Sequence, residues 1–163
     1  MSPPSVAAVV VHYRGGEVIG RCLEAVLAEP EVLEAVVVDN EGIAQRLRWA
    51  HLDPRVRVLA MSRNVGFGRA ANAGLEVARA DAALILNQDA YPEPGAIGEL
   101  LRVAAESGAW LAAPALVDEH AERHPAKDRF PPPLEWHSEA VGEGWRAVPW
   151  VSGAAMLLAP GHT

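Results

Sequence analysis

The sequence has a single cysteine, Cys22, and lacks any apolar run long enough to cross a bilayer. One cysteine allows no disulfide within the chain. The longest nearly uncharged apolar stretches, residues 6–11 and 82–86, fall well short of the roughly 20 residues that a transmembrane helix needs. We therefore expect no transmembrane segment.

Basic residues are also scarce. Lys and Arg number 14 against 21 Asp and Glu, the net charge is −7, and no Lys/Arg-rich run occurs. A nucleic acid or an anionic membrane is therefore excluded as the main binding partner. Residues 1–5 lack the basic flank of a signal peptide, which predicts a cytoplasmic location, with peripheral contact at the membrane left open.

Half of the 163 residues are apolar, enough for one sizeable core, so we interpret residues 1–163 as one domain. Short apolar runs, typical of strands buried on both faces, alternate with segments in which apolar residues recur every three or four positions. This alternation predicts an α/β fold with an open, mainly parallel sheet flanked by helices over residues 1–113. The strands are predicted at residues 6–11, 35–38, 56–60, 82–86 and 110–113, and the helices at 18–27, 43–50, 67–78 and from 91–94 to 107.

The pattern breaks after residue 113. Residues 114–147 are rich in proline, histidine and aromatics and predict a long irregular excursion, and 148–163 return as an apolar strand. His120 and His124 have the spacing of a metal-binding pair on a helix, but Pro125 and the surrounding composition favour a solvated loop. We predict that three tryptophans anchor the core, with stacking on a sugar as the alternative. They are Trp136, Trp145 and Trp150.

Polar residues follow four successive predicted strands. In open α/β sheets, ligands bind at the carboxyl ends of the strands, so these positions predict a binding site. Asp39 is predicted to bind there or to cap a turn. Asp89 is predicted to hold a divalent cation, Mg²⁺ or Mn²⁺, that bridges phosphates, or else to cap the next helix. The strand-end residues are His12, Tyr13, Asp39, Asn40, Asn64, Asn87, Gln88 and Asp89.

A glycine-containing segment, residues 64–72, precedes and opens one predicted helix. Bare backbone amides at a helix start favour a pyrophosphate. Residues 66–71 also match the G-x-G-x-x-G/A fingerprint of dinucleotide-binding proteins, with Asp89 placed 18 residues after Ala71. That fingerprint should follow the first strand at once, whereas here it follows the third, so NAD binding is the remote alternative.

Several motifs occur in a characteristic order along the chain. They are VVVHY at 9–13, VVVDN at 36–40, RNVGFGRAANAG at 63–74, LILNQDA at 84–90 with PEPG at 92–95, and VSGAAML at 151–157. In this order the sequence resembles family-2 glycosyltransferases of the GT-A fold, and the likeness is closest to their rhamnosyltransferase-like bacterial branch. The resemblance covers about residues 6–113 together with 151–157.

The resemblance implies a site for a nucleoside-diphosphate sugar. In it, Asp39 binds the nucleobase, His12 and Tyr13 line the nucleoside pocket, and Asp89 matches the last acid of the metal-binding D-x-D motif. The first position of the motif is Asn87, as in the N-P-D form common in this branch. Gln88 stands where that form has a proline. The residues implied to surround the nucleotide are Asn64, Gly66 and Asn72.

The resemblance also implies transfer of a sugar from a dTDP or UDP donor to a cell-surface polysaccharide or lipid-linked acceptor, with a homo-oligomer left open. In the family, an acid that deprotonates the acceptor lies beyond the segment resembling 152–156, and no match to it precedes Thr163. The catalytic residue is therefore left unassigned. Two hypotheses stay open: an active transferase whose base comes from another chain, the acceptor or a loop acid such as Asp118 or Glu119, and a truncated or degenerate domain that binds the donor without transferring it.

Overall fold

The strands and helices form close to the predicted positions in the part of the chain that the structure describes. The computed structural model describes residues 4–14, 18–42, 53–117 and 151–161. The helix predicted at 43–50 lies outside these ranges, and so do residues 118–150, which include His120, His124, Trp136, Trp145 and Trp150. Within them the elements are β1 (Val6–His12), α1 (Val18–Ala28), β2 (Val32–Asp39), β3 (Val56–Ala60), α2 (Phe67–Val77), β4 (Ala82–Asn87), α3 (Ala96–Ser107), β5 (Leu111–Ala112) and β6 (Ala155–Leu158).

The strands form one sheet in the order β3-β2-β1-β4-β6-β5. The first four strands in that order are parallel, and β6 is antiparallel to both β4 and β5. The predicted open, mainly parallel α/β sheet is thus confirmed. The last predicted strand is shorter than expected, because β6 begins only at Ala155, after a turn at 153–154.

The second strand begins three residues earlier than predicted, at Val32. Its extension includes Glu34, which is buried and interrupts the apolar run. Glu34 accepts hydrogen bonds from Nη1 of Arg57 at 2.8 Å and from the backbone N–H of Arg79 at 2.6 Å. A buried carboxylate is tolerated when it is paired in this way, and hydropathy alone does not reveal the pairing.

The sheet is covered on both faces. Helices α1 and α3 pack against one face and α2 against the other, and all seven residues of β1 are buried between them. The face of α2 that meets the sheet consists of small residues, with Ala70, Ala71 and Gly74 buried. A Cβ added at Gly74 would lie 2.4 Å from Cγ1 of Val9 and 2.9 Å from Cγ2 of Val38, so the helix can approach the sheet only with glycine there.

The three described helices have 11, 11 and 12 residues, and none of them is long and apolar enough to span a membrane. The strand register sets the position of the polar strand ends. His12 is aligned with Asp39, and Val11 with Asn87. The carboxyl ends of β2, β1 and β4 therefore lie side by side.

Candidate functional site

The carboxylate of Asp39 lies at the carboxyl end of β2 and is fully buried. Its Oδ1 accepts the backbone N–H groups of Glu41, at 3.0 Å, and Gly42, at 3.1 Å. Its Oδ2 is buried and has no hydrogen-bond partner among the described residues. The predicted turn-capping role of Asp39 is confirmed, but it uses only one oxygen. A buried acceptor left without a donor is costly, so the second oxygen indicates a place for a donor group of a ligand.

The imidazole of His12 lies beside this carboxylate. His12 ends β1, is fully buried, and places its Nδ1 3.6 Å from Oδ1 of Asp39, which is beyond hydrogen-bond distance. Its backbone carbonyl accepts the N–H of Asn40 at 2.9 Å. The structure therefore brings together two of the residues that the sequence analysis assigned to the nucleoside pocket.

Two asparagine side chains connect the ends of β2 and β3. Asn40 donates from Nδ2 to Oδ1 of Asn64 at 3.0 Å and accepts the N–H of Val65 at 2.9 Å. Oδ1 of Asn64 also accepts the N–H of Gly66 at 2.9 Å. Gly66 precedes α2 with φ 83° and ψ 161°, a conformation that only glycine adopts readily. This asparagine pair fixes the conformation of the segment that leads into α2. No local sequence pattern indicates this role for Asn40.

The carboxamide of Gln88 connects the turn after β4 to the end of β1. Its Oε1 accepts the N–H of Tyr13 at 3.1 Å, and its Nε2 donates to the carbonyls of Tyr13 at 3.1 Å and Arg14 at 2.6 Å. The Arg14 guanidinium lies 5.1 Å from the centroid of the partly exposed Tyr13 ring. The sequence showed Gln88 only as a departure from the family motif, because a side chain that bonds a segment 75 residues away leaves no local pattern.

Asp89 lies in the turn directly after β4 and is exposed. It makes no hydrogen bond or ion pair within the described ranges. The predicted alternative, that it caps the next helix, is wrong. Helix α3 begins at Ala96, and the buried Glu29 accepts the N–H groups of Gly95 and Ile97 at its start, at 2.8 and 3.1 Å.

The thiol of Cys22 lies under the same turn, with Sγ 3.8 Å from the carbonyl oxygen of Asn87. Burial, and to a smaller extent the negative charge of Asp89, raise the pKa of the Cys22 thiol to about 12. The thiol therefore stays protonated at neutral pH and behaves as part of the core.

Asp89 presents one exposed carboxylate to a cation at the end of β4. In the described ranges, no three His, Cys, Asp or Glu residues cluster closely enough to hold a metal ion. A single exposed carboxylate nevertheless suits Mg²⁺ or Mn²⁺, which proteins commonly bind through one or two carboxylates plus substrate phosphates. The residues thus fit an ion that is shared with a diphosphate.

Two further segments approach the strand ends. The N–H of Asn87 donates to the carbonyl of Ala154 at 3.0 Å, and a Cβ at Gly153 would lie 3.7 Å from Cε1 of Phe67. The segment that returns before β6 therefore contacts both the end of β4 and the start of α2. Asn72 stays apart: it is exposed on α2, and among the described residues no hydrogen bond links it to the other predicted site residues.

Comparison with known proteins identifies one family. The model of the glycosyl transferase family 2 matches residues 7–146. Among curated proteins, the chain is 37% identical over 112 residues to the succinoglycan biosynthesis protein ExoO of Rhizobium meliloti, an alignment that covers 67% of this chain and 32% of that protein.

Solved structures share the fold. The mannosyltransferase PcManGT of Pyrobaculum calidifontis, in complex with GDP-Man and Mn²⁺, superposes with a TM-score of 0.59 at 22% identity over 68% of this chain and 35% of its own. TarS of S. aureus, residues 1–349, superposes with a TM-score of 0.55 at 19% identity over 66% and 34%. The chain thus spans about a third of the length of the relatives it matches.

Proposed function

The chain belongs to glycosyl transferase family 2, and from this premise we propose that its strand ends bind the nucleoside diphosphate of a sugar donor. The observation that carries the proposal is the buried Oδ2 of Asp39, which has no donor among the described residues. A nucleobase N–H is a suitable donor for it. His12 and Tyr13 at the end of β1 line the same pocket in this proposal, and Asn64, Gly66 and Asn72 surround the nucleotide.

The hydrogen bonds of Asp39 favour a pyrimidine base. Since Oδ1 is occupied by two backbone N–H groups, only Oδ2 is left to receive the base. Uracil and thymine present one N–H, at N3, between two carbonyls. Guanine presents adjacent N–H groups at N1 and N2, a pair that is best matched by both oxygens of a free carboxylate. We therefore propose a UDP or dTDP sugar as the donor.

Asp89 is the proposed ligand of a divalent cation that arrives with the diphosphate. The PcManGT complex contains Mn²⁺, which supports cation use in this fold. When bound, such an ion neutralises charge that develops on the departing diphosphate. The residues of this chain would orient that diphosphate, through the carboxylate of Asp89 on one side and the backbone at Gly66 and the start of α2 on the other.

The acceptor is proposed from the relatives. The name of ExoO connects it with the biosynthesis of succinoglycan, a polysaccharide, which supports a saccharide or lipid-linked saccharide as acceptor here. Attack by an acceptor hydroxyl needs a base to take its proton. The loop acids predicted for this task, Asp118 and Glu119, lie outside the described residues. Donor binding without transfer is thus the second outcome that an activity assay must distinguish.

Calorimetric titration with UDP, dTDP, GDP and ADP, each with and without Mn²⁺, tests the proposal. We expect UDP and dTDP to bind more tightly than the purine nucleotides. Mn²⁺ should strengthen the binding of the diphosphates but not that of uridine, which is titrated as a control without phosphate. Asp89→Asn should remove the effect of Mn²⁺ while leaving uridine binding unchanged, because an amide cannot neutralise the cation. Absence of binding for every nucleotide, or equal affinity for UDP and GDP, would contradict the proposed donor.

A donor-saturated assay separates transfer from binding alone. UDP and dTDP sugars would be incubated with polysaccharide and lipid-linked acceptors, and the released nucleotide and the glycosylated product would both be measured. Product formation supports the transferase. Tight nucleotide binding with only slow donor hydrolysis supports the binding domain.

A further inference from the structure

We propose that Gln88 is a positioning residue for nucleotide binding, because its carboxamide holds the segment Tyr13–Arg14 in the conformation that forms one wall of the nucleoside pocket. This inference rests on the proposed function, and it adds a residue to which the family motif gives no role.

The geometry of the carboxamide carries the inference. One side chain supplies three hydrogen bonds to two consecutive residues: it accepts from the N–H of Tyr13 and donates to the carbonyls of Tyr13 and Arg14. Among side chains, only Asn and Gln combine an acceptor and two donors on one planar group. A proline at this position could make none of these bonds.

The segment that Gln88 holds has an unusual backbone. Arg14 is the non-glycine residue with a positive φ, 59°, in the described part of the chain. Such a conformation is unfavourable for arginine and persists where surrounding contacts determine it. On its other side, the N–H of Arg14 donates to Oε2 of Glu41 at 3.2 Å. The end of β1 is therefore held between the turn after β4 and the turn after β2.

The position of Gln88 gives these bonds a functional consequence. Gln88 directly precedes Asp89, the proposed cation ligand. The side chain of Gln88 bonds Tyr13, and the residue before Tyr13, His12, lies beside Asp39. The same turn therefore serves both sides of the proposed site. Asp89 faces the diphosphate, and the carboxamide of Gln88 fixes the wall of the nucleoside pocket. Loss of the carboxamide should leave Asp39 in place and release the Tyr13 wall.

Two substitutions test the role. Gln88→Ala removes all three bonds, whereas Gln88→Glu keeps the length of the side chain and the acceptor for the N–H of Tyr13. At neutral pH the glutamate has no donor and places its charge against two carbonyls. We expect both variants to bind UDP about tenfold or more weakly than the wild type.

Uridine, titrated by NMR, controls for repulsion between the new carboxylate and the diphosphate: a positioning effect weakens uridine as well as UDP. Amide hydrogen exchange gives a readout without ligand, and we expect the N–H of Tyr13 to exchange faster in Gln88→Ala.

The outcomes separate the two proposals. If the wild type binds UDP and Gln88→Ala binds it equally well, the role of Gln88 is refuted and the proposed function stands. If both variants weaken the binding of UDP but leave the binding of uridine unchanged, the wall of the nucleoside pocket is intact and the positioning role is also refuted. If the wild type binds no nucleotide, the proposed function fails, and this inference fails with it.

Discussion

Asn40 and Asn64 are joined by a hydrogen bond of 3.0 Å between Nδ2 of the first and Oδ1 of the second. Asn40 is buried at the end of β2, and Asn64 lies in the exposed segment after β3. Each also accepts a backbone N–H of that segment, from Val65 and Gly66 respectively. The pair therefore fixes the backbone that leads into α2.

Substitution of Asn40 by alanine should lower both stability and nucleotide affinity. The change removes the acceptor of the Val65 N–H and the donor to Asn64, and it frees the segment before α2, so we expect the free energy of unfolding to fall by about 1–3 kcal/mol. Urea denaturation and UDP titration measure the two effects. Asn72→Ala is the matched control for stability, and its unfolding free energy should stay within about 0.5 kcal/mol of the wild type. Equal stability of Asn40→Ala and Asn72→Ala would contradict this role for Asn40.

The close approach of α2 to the sheet predicts that Gly74→Ala destabilises the protein. The new methyl group would clash with Val9 and Val38, and overpacking of this kind costs about 1–3 kcal/mol, more than the roughly 1 kcal/mol that alanine gains in a helix. Gly20→Ala in α1 is the matched control, since none of the described residues comes within 4 Å of the added Cβ. Thermal unfolding should show a lower midpoint for Gly74→Ala and an unchanged or higher one for Gly20→Ala. A higher midpoint for both would show that the helix can move away from the sheet.

The raised pKa of Cys22 predicts a loss of stability at alkaline pH. In the unfolded chain the thiol ionises near its ordinary pKa of about 8.5, whereas in the folded protein it stays protonated until its pKa of about 12. Between these values the unfolded state binds fewer protons, so this group should lower the unfolding free energy by about 1.4 kcal/mol per pH unit as the pH rises. Below the lower value its contribution is constant.

Cys22→Ala provides the control for this slope. It creates a small cavity and lowers stability at every pH, but it removes the pH-dependent contribution of the thiol. Urea denaturation between pH 8.5 and 10.5 should therefore give a steeper decline for the wild type than for the variant. Parallel declines would mean that the folded thiol ionises as readily as the unfolded one.

Local patterns predict the sheet well because burial on both faces leaves a direct trace in the sequence. The run before His12 and the run before Asp39 are continuous and β-branched, and each forms a buried strand. The small residues on one face of α2 likewise predict its close packing. The polar strand ends follow from the same rule, since the carboxyl ends of parallel strands meet at one edge.

The missed features are side chains whose partners are distant in sequence. Glu34 is buried because Arg57 pairs with it, and Glu29 holds the start of α3 from 66 residues away. Gln88 and Asn40 likewise bond segments on other strands. A hydropathy pattern records which positions are apolar, but it carries no signal for a polar group whose cost is offset by a partner elsewhere in the chain.

The most direct test of the account is the exchange of one atom at Asp39. In Asp39→Asn, the amide oxygen must still accept the N–H groups of Glu41 and Gly42, so the NH₂ group takes the place of Oδ2. The NH₂ group repels the N3–H of uracil, but it can donate a hydrogen bond to the unprotonated N3 of cytosine. Calorimetry with UDP and CDP on the wild type and the variant measures the exchange.

The account predicts that the wild type prefers UDP, and that Asp39→Asn loses about 10- to 150-fold in UDP affinity, the equivalent of one hydrogen bond to a charged group, while gaining affinity for CDP. Equal affinity of the wild type and Asp39→Asn for UDP would contradict it, because Oδ2 of Asp39 would then not contact the base.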